Sequence, residues 1–141
     1  MPGRLPVARA TGVLALALLA ACGSGGGFPD AARAIDAAAP GNFSVMWTID
    51  DASMQPVTCM QASATTVLVS LHETTTGSAF GQTFGCPLGL ADSGSIPIGH
   101  YDFKFTLLSG STQLATAPDQ TNIAIQPSQT AQLAPLLFVL Q

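Results

Sequence analysis

From Phe43 onward, apolar and polar residues alternate along the chain with a period of two. The alternation is clearest in three segments, Phe43–Asp50, Thr65–Glu73 and His100–Leu107. Successive side chains of a β-strand point to opposite faces of the sheet, so this period is typical of strands with one buried and one solvated face. Because apolar residues at helical spacing are missing from this part of the chain, we expect an all-β fold.

Turn-forming residues fall between the alternating segments, at Thr74–Ser78, Ser109–Gly110, Pro118–Asp119 and Pro127–Ser128, and the loop Asp51–Gln61 surrounds Pro56. Ile123 and Ile125 repeat the alternation, and weaker patterns predict further strands at Phe80–Phe84, Asp92–Ile96 and Thr112–Thr116. The final run, Leu133–Leu140, is almost continuously apolar, which predicts a strand buried on both faces or one whose outer face meets a partner. About seven or eight short strands with regular turns indicate a single antiparallel β-sandwich.

The entry to one of these strands carries a further motif. Pro97, Gly99 and Tyr101 have the spacing P-x-G-x-Y, which resembles a segment of transthyretin-like and carboxypeptidase-regulatory-like sandwiches. The resemblance implies that Gly99 takes the backbone through a turn that a Cβ would hinder, and that Tyr101 packs inward with its hydroxyl reaching a loop. Immunoglobulin domains place a Trp between two cysteines, whereas Trp47 precedes both Cys59 and Cys86, so an antibody-type domain is not expected.

The N-terminus has the three parts of a secretory signal. The first ten residues contain Arg4 and Arg9 and no acidic residue, an apolar core follows from about Val13 to Ala21, and small residues surround Cys22. The apolar core is about half the roughly 20 residues that a membrane-spanning helix needs. We therefore expect residues 1–21 to be a signal peptide rather than a permanent span.

The residues Leu19-Ala20-Ala21-Cys22 resemble the lipobox of bacterial lipoproteins. The resemblance implies a diacylglycerol on the Cys22 sulfur, cleavage before Cys22 and, in many Gram-negative bacteria, a third acyl chain on the new amine. Two or more acyl chains give stable anchoring, so the membrane is an expected partner. Gly23 stands where an Asp would signal inner-membrane retention, which implies an outer-membrane address. The alternative is an ordinary secretion signal with a chance cysteine.

Between the lipobox and the alternating region, Gly, Ser and Ala dominate. Residues 23–42 have too little apolar bulk to build a core, so we expect a flexible linker with a mean span of roughly 25 Å. The rest of the chain has the length of one domain. The expected organisation is thus a signal peptide at residues 1–21, a lipidated cysteine and linker at 22–42, and a β-sandwich at 43–141.

Two cysteines remain besides Cys22, and they are Cys59 and Cys86. An even pair in an exported protein favours a disulfide, which would tie the Asp51–Gln61 loop to a hairpin. The alternative is a zinc site made from these cysteines with His72 and His100. Structural zinc ligands usually come in closely spaced pairs, and no two of these four residues are close in sequence.

Charged and catalytic signals are sparse. The domain has six acidic residues and the single base Lys104, so a nucleic-acid partner is not expected. His72 lies beside Glu73 and His100 lies near Asp102, but neighbouring strand residues face opposite sides, so neither pair is expected to cooperate. Asp50–Asp51 could contribute to a calcium site, although turn capping explains both residues.

The sequence contains no recognisable catalytic motif, and no cofactor or metal is expected. We therefore expect a non-catalytic binding or structural module of the cell envelope, whose partner is an envelope protein or a glycan that meets its loops or a strand edge. One alternative is an accessory subunit that docks through the apolar C-terminal strand. Another is an enzyme with an unrecognised site.

Overall fold

The structure, a computed structural model, describes residues 38–141. It contains eight strands, and these are β1 (Asn42–Asp50), β2 (Thr66–Glu73), β3 (Ala79–Gly85), β4 (Leu90–Asp92), β5 (Gly99–Ser109), β6 (Thr112–Ile125), β7 (Thr130–Gln132) and β8 (Leu136–Val139). The helical element within this range is a three-residue 3-10 turn, Cys86–Leu88. In the described part of the chain, no helix has the length and apolar character to cross a membrane. The expected signal peptide and Cys22 lie outside the described residues.

The strands form two four-stranded sheets. In the first, β1 pairs antiparallel with β4 on one side and parallel with β7 and β8 on the other. The second has the order β3-β2-β5-β6 and is antiparallel throughout. The all-β sandwich expected from the sequence is therefore confirmed, while its two parallel pairings differ from the expected antiparallel arrangement. Alternating burial does not distinguish a parallel from an antiparallel neighbour, so the sequence could not show this.

The core consists of the alternating residues of the two inner faces. In β1 the buried residues are every second one, from Phe43 at 0% exposure to Ile49 at 3%. β2 and β5 contribute in the same way, with Val67, Val69, Leu71, Tyr101, Phe103, Phe105 and Leu107. Phe43 and Phe103 join the two sheets edge to face, with ring centroids 5.1 Å apart, a favoured arrangement of aromatic pairs.

The expected turn at Pro118–Asp119 is wrong, because β6 runs through it as one strand from Thr112 to Ile125. Proline removes a backbone donor, but β6 lies at the edge of its sheet, where no neighbour needs that donor. The register with β5 shifts three times along the pair, as at β-bulges. At one shift Asn122 has a φ of 56°, and its N–H donates to the Asp102 carboxylate at 2.9 Å.

Two other boundaries differ from expectation. β4 covers Leu90–Asp92 instead of Asp92–Ile96, and Ile96 makes an isolated bridge to Gly41. The second difference is at the start of the domain, where β1 begins at Asn42 and not at Phe43, since Asn42 already pairs with Thr130.

The C-terminal strand is buried on one face rather than on both. Leu136 and Phe138 point into the core, whereas Leu137 between them is 38% exposed. Burial therefore alternates along this strand, although its sequence is almost continuously apolar.

Candidate functional site

Cys59 and Cys86 form a disulfide, with their Cα atoms 5.9 Å apart. Cys86 directly follows β3, so the bond ties the loop after β1 to the β2–β3 hairpin, as the sequence predicted. The two sulfur atoms are bonded to each other and are not free thiolates. The alternative zinc site built on these cysteines is therefore set aside.

A short helical turn presents Cys59 to its partner. The Thr58 N–H donates to the Gln61 side-chain oxygen at 2.8 Å, and the Gln61 N–H donates to the Thr58 hydroxyl at 3.2 Å. This reciprocal arrangement is a capping box, which fixes the start of a helical turn. The Ala64 N–H then donates to the Cys59 carbonyl at 2.8 Å. The sequence T-x-x-Q from Thr58 to Gln61 carries this signal, which the proline and polar composition of the loop does not reveal.

Trp47 holds the other side of the disulfide. Its indole Nε1–H donates to the Cys86 carbonyl at 3.1 Å, and the side chain is only 6% exposed. The loop also extends the edge of β1, because the Val57 N–H donates to the Ile49 carbonyl at 2.8 Å. Trp47, the disulfide and the loop together close one end of the sandwich.

An open cleft of about 490 Å³ lies at this end, and we call it the disulfide cleft. Its lining is mainly apolar and consists of Trp47, Thr48, Ile49, Pro56–Met60, Cys86, Pro87 and Gly89. Apart from the bonded cysteines, none of these residues has an ionisable side chain. Met60 is 88% exposed. The cleft has the size and character of a site for an apolar group, and it offers no general acid or base.

A second cleft, of about 570 Å³, lies at the other end of β2 and contains Glu73 and Tyr101. Glu73 is only 8% exposed. Its carboxylate accepts hydrogen bonds from the backbone N–H groups of Thr75, at 3.1 Å, and Thr76. The carboxylate therefore organises the turn between β2 and β3.

These contacts determine the ionisation of the cleft. Hydrogen bonds from the side chain and backbone of Thr76, with smaller contributions from Thr75, lower the pKa of Glu73 to about 2 and outweigh the opposing effect of desolvation. Burial raises the pKa of the Tyr101 phenol, and the Glu73 charge raises it further. Near neutral pH, Glu73 is thus a fixed anion with structural hydrogen bonds and not a proton-transfer group.

Tyr101 lies where the sequence motif predicted, since it is 2% exposed and its hydroxyl donates to the Pro97 carbonyl at 3.0 Å. The reason expected for Gly99 is wrong, because Gly99 begins β5 and forms no turn. A Cβ there would lie 3.2 Å from a Glu73 carboxylate oxygen and 3.4 Å from the Tyr101 ring. Close approach therefore explains the glycine. The family resemblance itself stays a prediction.

The histidines lie on the outer face of the second sheet. His72 is exposed while Glu73 is buried, so this pair does not cooperate, as predicted. The reason given for this expectation does not hold for His100 and Asp102, because they are two residues apart and share a face. The register also places His72 directly opposite Asp102. The sequence does not reveal this pairing, because cross-strand register cannot be read from one strand alone.

The Asp50–Asp51 pair ends β1 at a turn. An Asp51 carboxylate oxygen accepts from the N–H groups of Ser53 at 2.8 Å and Gln55 at 3.1 Å, which is the turn capping considered from the sequence. Within residues 38–141, no three side chains of His, Cys, Asp or Glu are grouped closely enough to hold a metal ion.

Cys22, the predicted lipidation site, is outside the described residues. The disulfide cleft is the candidate binding site, because it combines an apolar lining with a braced loop at the end of the sandwich. Comparisons with protein-family models, with curated proteins and with solved structures give no match for this chain.

Proposed function

We propose that this chain is an exported lipoprotein, anchored through Cys22, whose β-sandwich is a non-catalytic binding or structural module of the cell envelope. The observation that carries the proposal is the Cys59–Cys86 disulfide. Disulfides persist in the oxidising compartments outside the cytosol and are rare in the cytosol, so the bond supports export of the domain.

The disulfide also bears on the anchor. The chain has three cysteines, and the bond uses two of them. The third, Cys22, follows Leu19-Ala20-Ala21 in the lipobox pattern. An exported protein with its domain cysteines bonded and its remaining cysteine at this position fits lipidation at Cys22.

Binding rather than catalysis is supported by the character of the disulfide cleft and of the cleft at Glu73. The disulfide cleft has no free ionisable side chain, and the carboxylate of the second cleft is held by its own turn. An apolar cleft at the loop end of a sandwich suits recognition of an apolar part of an envelope protein or glycan.

The anchor is tested by replacing the lipidated sulfur. In Cys22→Ser we expect loss of a metabolically incorporated fatty-acid label and movement of the protein out of the salt-washed membrane fraction, because the acyl chains supply the membrane affinity. The matched control is the double variant Cys59→Ser with Cys86→Ser, which should keep the label. Label retained in Cys22→Ser, or a variant that still pellets with salt-washed membranes, contradicts the anchor.

The outer-membrane address has its own variant. If Gly23 after the lipidated cysteine directs the lipoprotein to the outer membrane, Gly23→Asp should shift the labelled protein toward the inner-membrane fraction of a density gradient while the label remains. Identical gradients for the two proteins would contradict the address and leave the lipidation result standing.

A further inference from the structure

β3 is an edge strand whose outer side is unpaired among residues 38–141. All seven of its residues, Ala79–Gly85, pair with β2 in one continuous antiparallel register. An edge of this length presents a row of backbone donors and acceptors that can pair with another strand.

The hydrogen bonds at the two ends of the hairpin identify these free groups. The Glu73 N–H donates to the Ser78 carbonyl at 2.8 Å, and the Cys86 N–H donates to the Thr65 carbonyl at 2.9 Å. Because bonded and non-bonded pairs alternate in an antiparallel ladder, even-numbered residues of β3 bond to β2. The outward backbone groups therefore belong to Ala79, Gly81, Thr83 and Gly85, whose small side chains leave the edge accessible.

Other edges of the two sheets are protected, and β3 is not. β6 contains Pro118 and several register shifts. In the other sheet the outer strands are short, since β4 and β7 have three residues each and β8 has four. Short strands, prolines and bulges are the features that prevent edge pairing. The β3 sequence AFGQTFG has no charge, no proline and no bulge.

The sequence of β3 is also nearly symmetric about Gln82. Phe80 and Phe84 lie at equal distances from it, and the small residues are likewise arranged on both sides. We propose that β3 pairs antiparallel with β3 of a second copy of this chain, with the two-fold axis at Gln82. A symmetric dimer requires such a self-complementary surface.

This register matches the free backbone groups. Gly81 faces Thr83 of the second copy, and Ala79 faces its Gly85, so outward donors and acceptors meet each other. On the inner face Phe80 pairs with Phe84 of the second copy, and aromatic cross-strand pairs are favourable. Both phenylalanines are only half-buried in the single chain. The strand carries no charge, so the acidic character of the domain does not place like charges on the axis.

Cross-linking of the full chain in its own compartment tests the register. Residues opposed at a non-hydrogen-bonded position have Cα atoms about 4.5 Å apart, within the range that a disulfide spans. Gln82→Cys should therefore give a covalent dimer that reductant dissolves. The matched control is Thr83→Cys. In the proposed register Thr83 faces Gly81 of the second copy, so the two Thr83 residues are offset from each other by roughly 7 Å along the strand. Thr83→Cys and the unmodified chain should give only a background amount of covalent dimer.

A dimer of Gln82→Cys alone, with the Cys59–Cys86 bond intact by peptide mapping, supports the proposal. No dimer, or equal dimer in both cysteine variants, overturns it.

A second measurement uses no new thiol. The mass of the purified full chain in detergent should change from monomer to dimer with concentration. Gln82→Glu should lower the dimer fraction several-fold, because it places like charges opposite each other. Ser70→Glu, on the outer face of β2, should leave it unchanged. A monomer at all concentrations, or equal loss in both variants, overturns the proposal whether or not Cys22 is lipidated.

Discussion

Glu73 is a nearly buried carboxylate whose partners are backbone amides of the turn that it begins. Its pKa of about 2 lies below the ordinary value of 4.5. A group with a lower pKa in the folded state stabilises the fold when ionised. This contribution is complete above about pH 4.5 and is lost as the pH falls toward 2.

We therefore expect Glu73→Gln to unfold at a lower denaturant concentration than the unmodified protein at pH 7, since the charge that holds Thr75 and Thr76 is lost. The difference should shrink steadily between pH 4.5 and 2. Urea unfolding of Trp47 fluorescence across this range measures it. Asp119→Asn, at an exposed position, is the control. Parallel pH profiles for Glu73→Gln and the unmodified protein would contradict the assignment.

At this scale the sequence predicted the residues that local pattern determines. Tyr101 faces inward because the alternation of β5 requires it, and its hydroxyl reaches Pro97 four residues earlier. The cross-strand pairing of His72 with Asp102 was not predictable in the same way. It depends on the register between two strands that are far apart in the chain, and a shift of one residue would have separated them.

Among the elements, the loop between β1 and β2 depends most on the disulfide. It has one short capped turn and one backbone bond to β1, from the Val57 N–H to the Ile49 carbonyl, while the Asp51 N–H donates to the Gln55 carbonyl within the loop. The bond closes a sequence separation of 27 residues. In the chain-entropy description, such a closure stabilises the folded state by about 3.5 kcal/mol.

Replacing Cys59 and Cys86 together by Ala should lower the free energy of unfolding by up to about 3.5 kcal/mol. Amide hydrogen exchange should accelerate most in the segment from Pro56 to Ala64 and least in β5, which has neighbours on both sides. Mass-spectrometric exchange measurements compare the two regions. Equal acceleration in the loop and in β5 would show that the bond supports the whole fold and not this loop.

The strand β6 shows why local signals failed at one element. Pro118–Asp119 has the composition of a turn, and the sequence alone favours breaking the strand there. Whether a proline interrupts a strand depends on its position in the sheet, because only an interior strand needs the missing donor. β6 is an edge, and this is a property of the strand order and not of the residues near Pro118.

For the whole molecule, the alternation of apolar and polar residues was sufficient to predict the two packed sheets but not to predict which strands pair with each other. Every second residue of β1, β2 and β5 is buried, so two apolar sheet faces had to meet. Strand order and the direction of β8 depend on how distant segments pair, which one sequence does not reveal. Within the described chain, each buried side-chain nitrogen or oxygen has a hydrogen-bond partner.

The parallel pairing of β1 with β7 and β8 has a mechanical consequence. β1 leads the chain into the domain and β8 leads it out, and neighbouring strands that run the same way place these two ends at opposite poles. Tension between the termini would pull β1 and its partners past each other along the strand axis. The three pairs with β7 and the four with β8 would then carry the load together.

Pulling at Gly99 and Ile125, which are partners at the open end of the β5–β6 hairpin, would instead separate pairs one after another. Single-molecule force spectroscopy should therefore give a higher rupture force for the terminal attachment than for the hairpin attachment. Equal forces would show that β1 does not bear the load. A domain held at its N-terminus and pulled from its far end would resist as a shear clamp and would not open as a zipper.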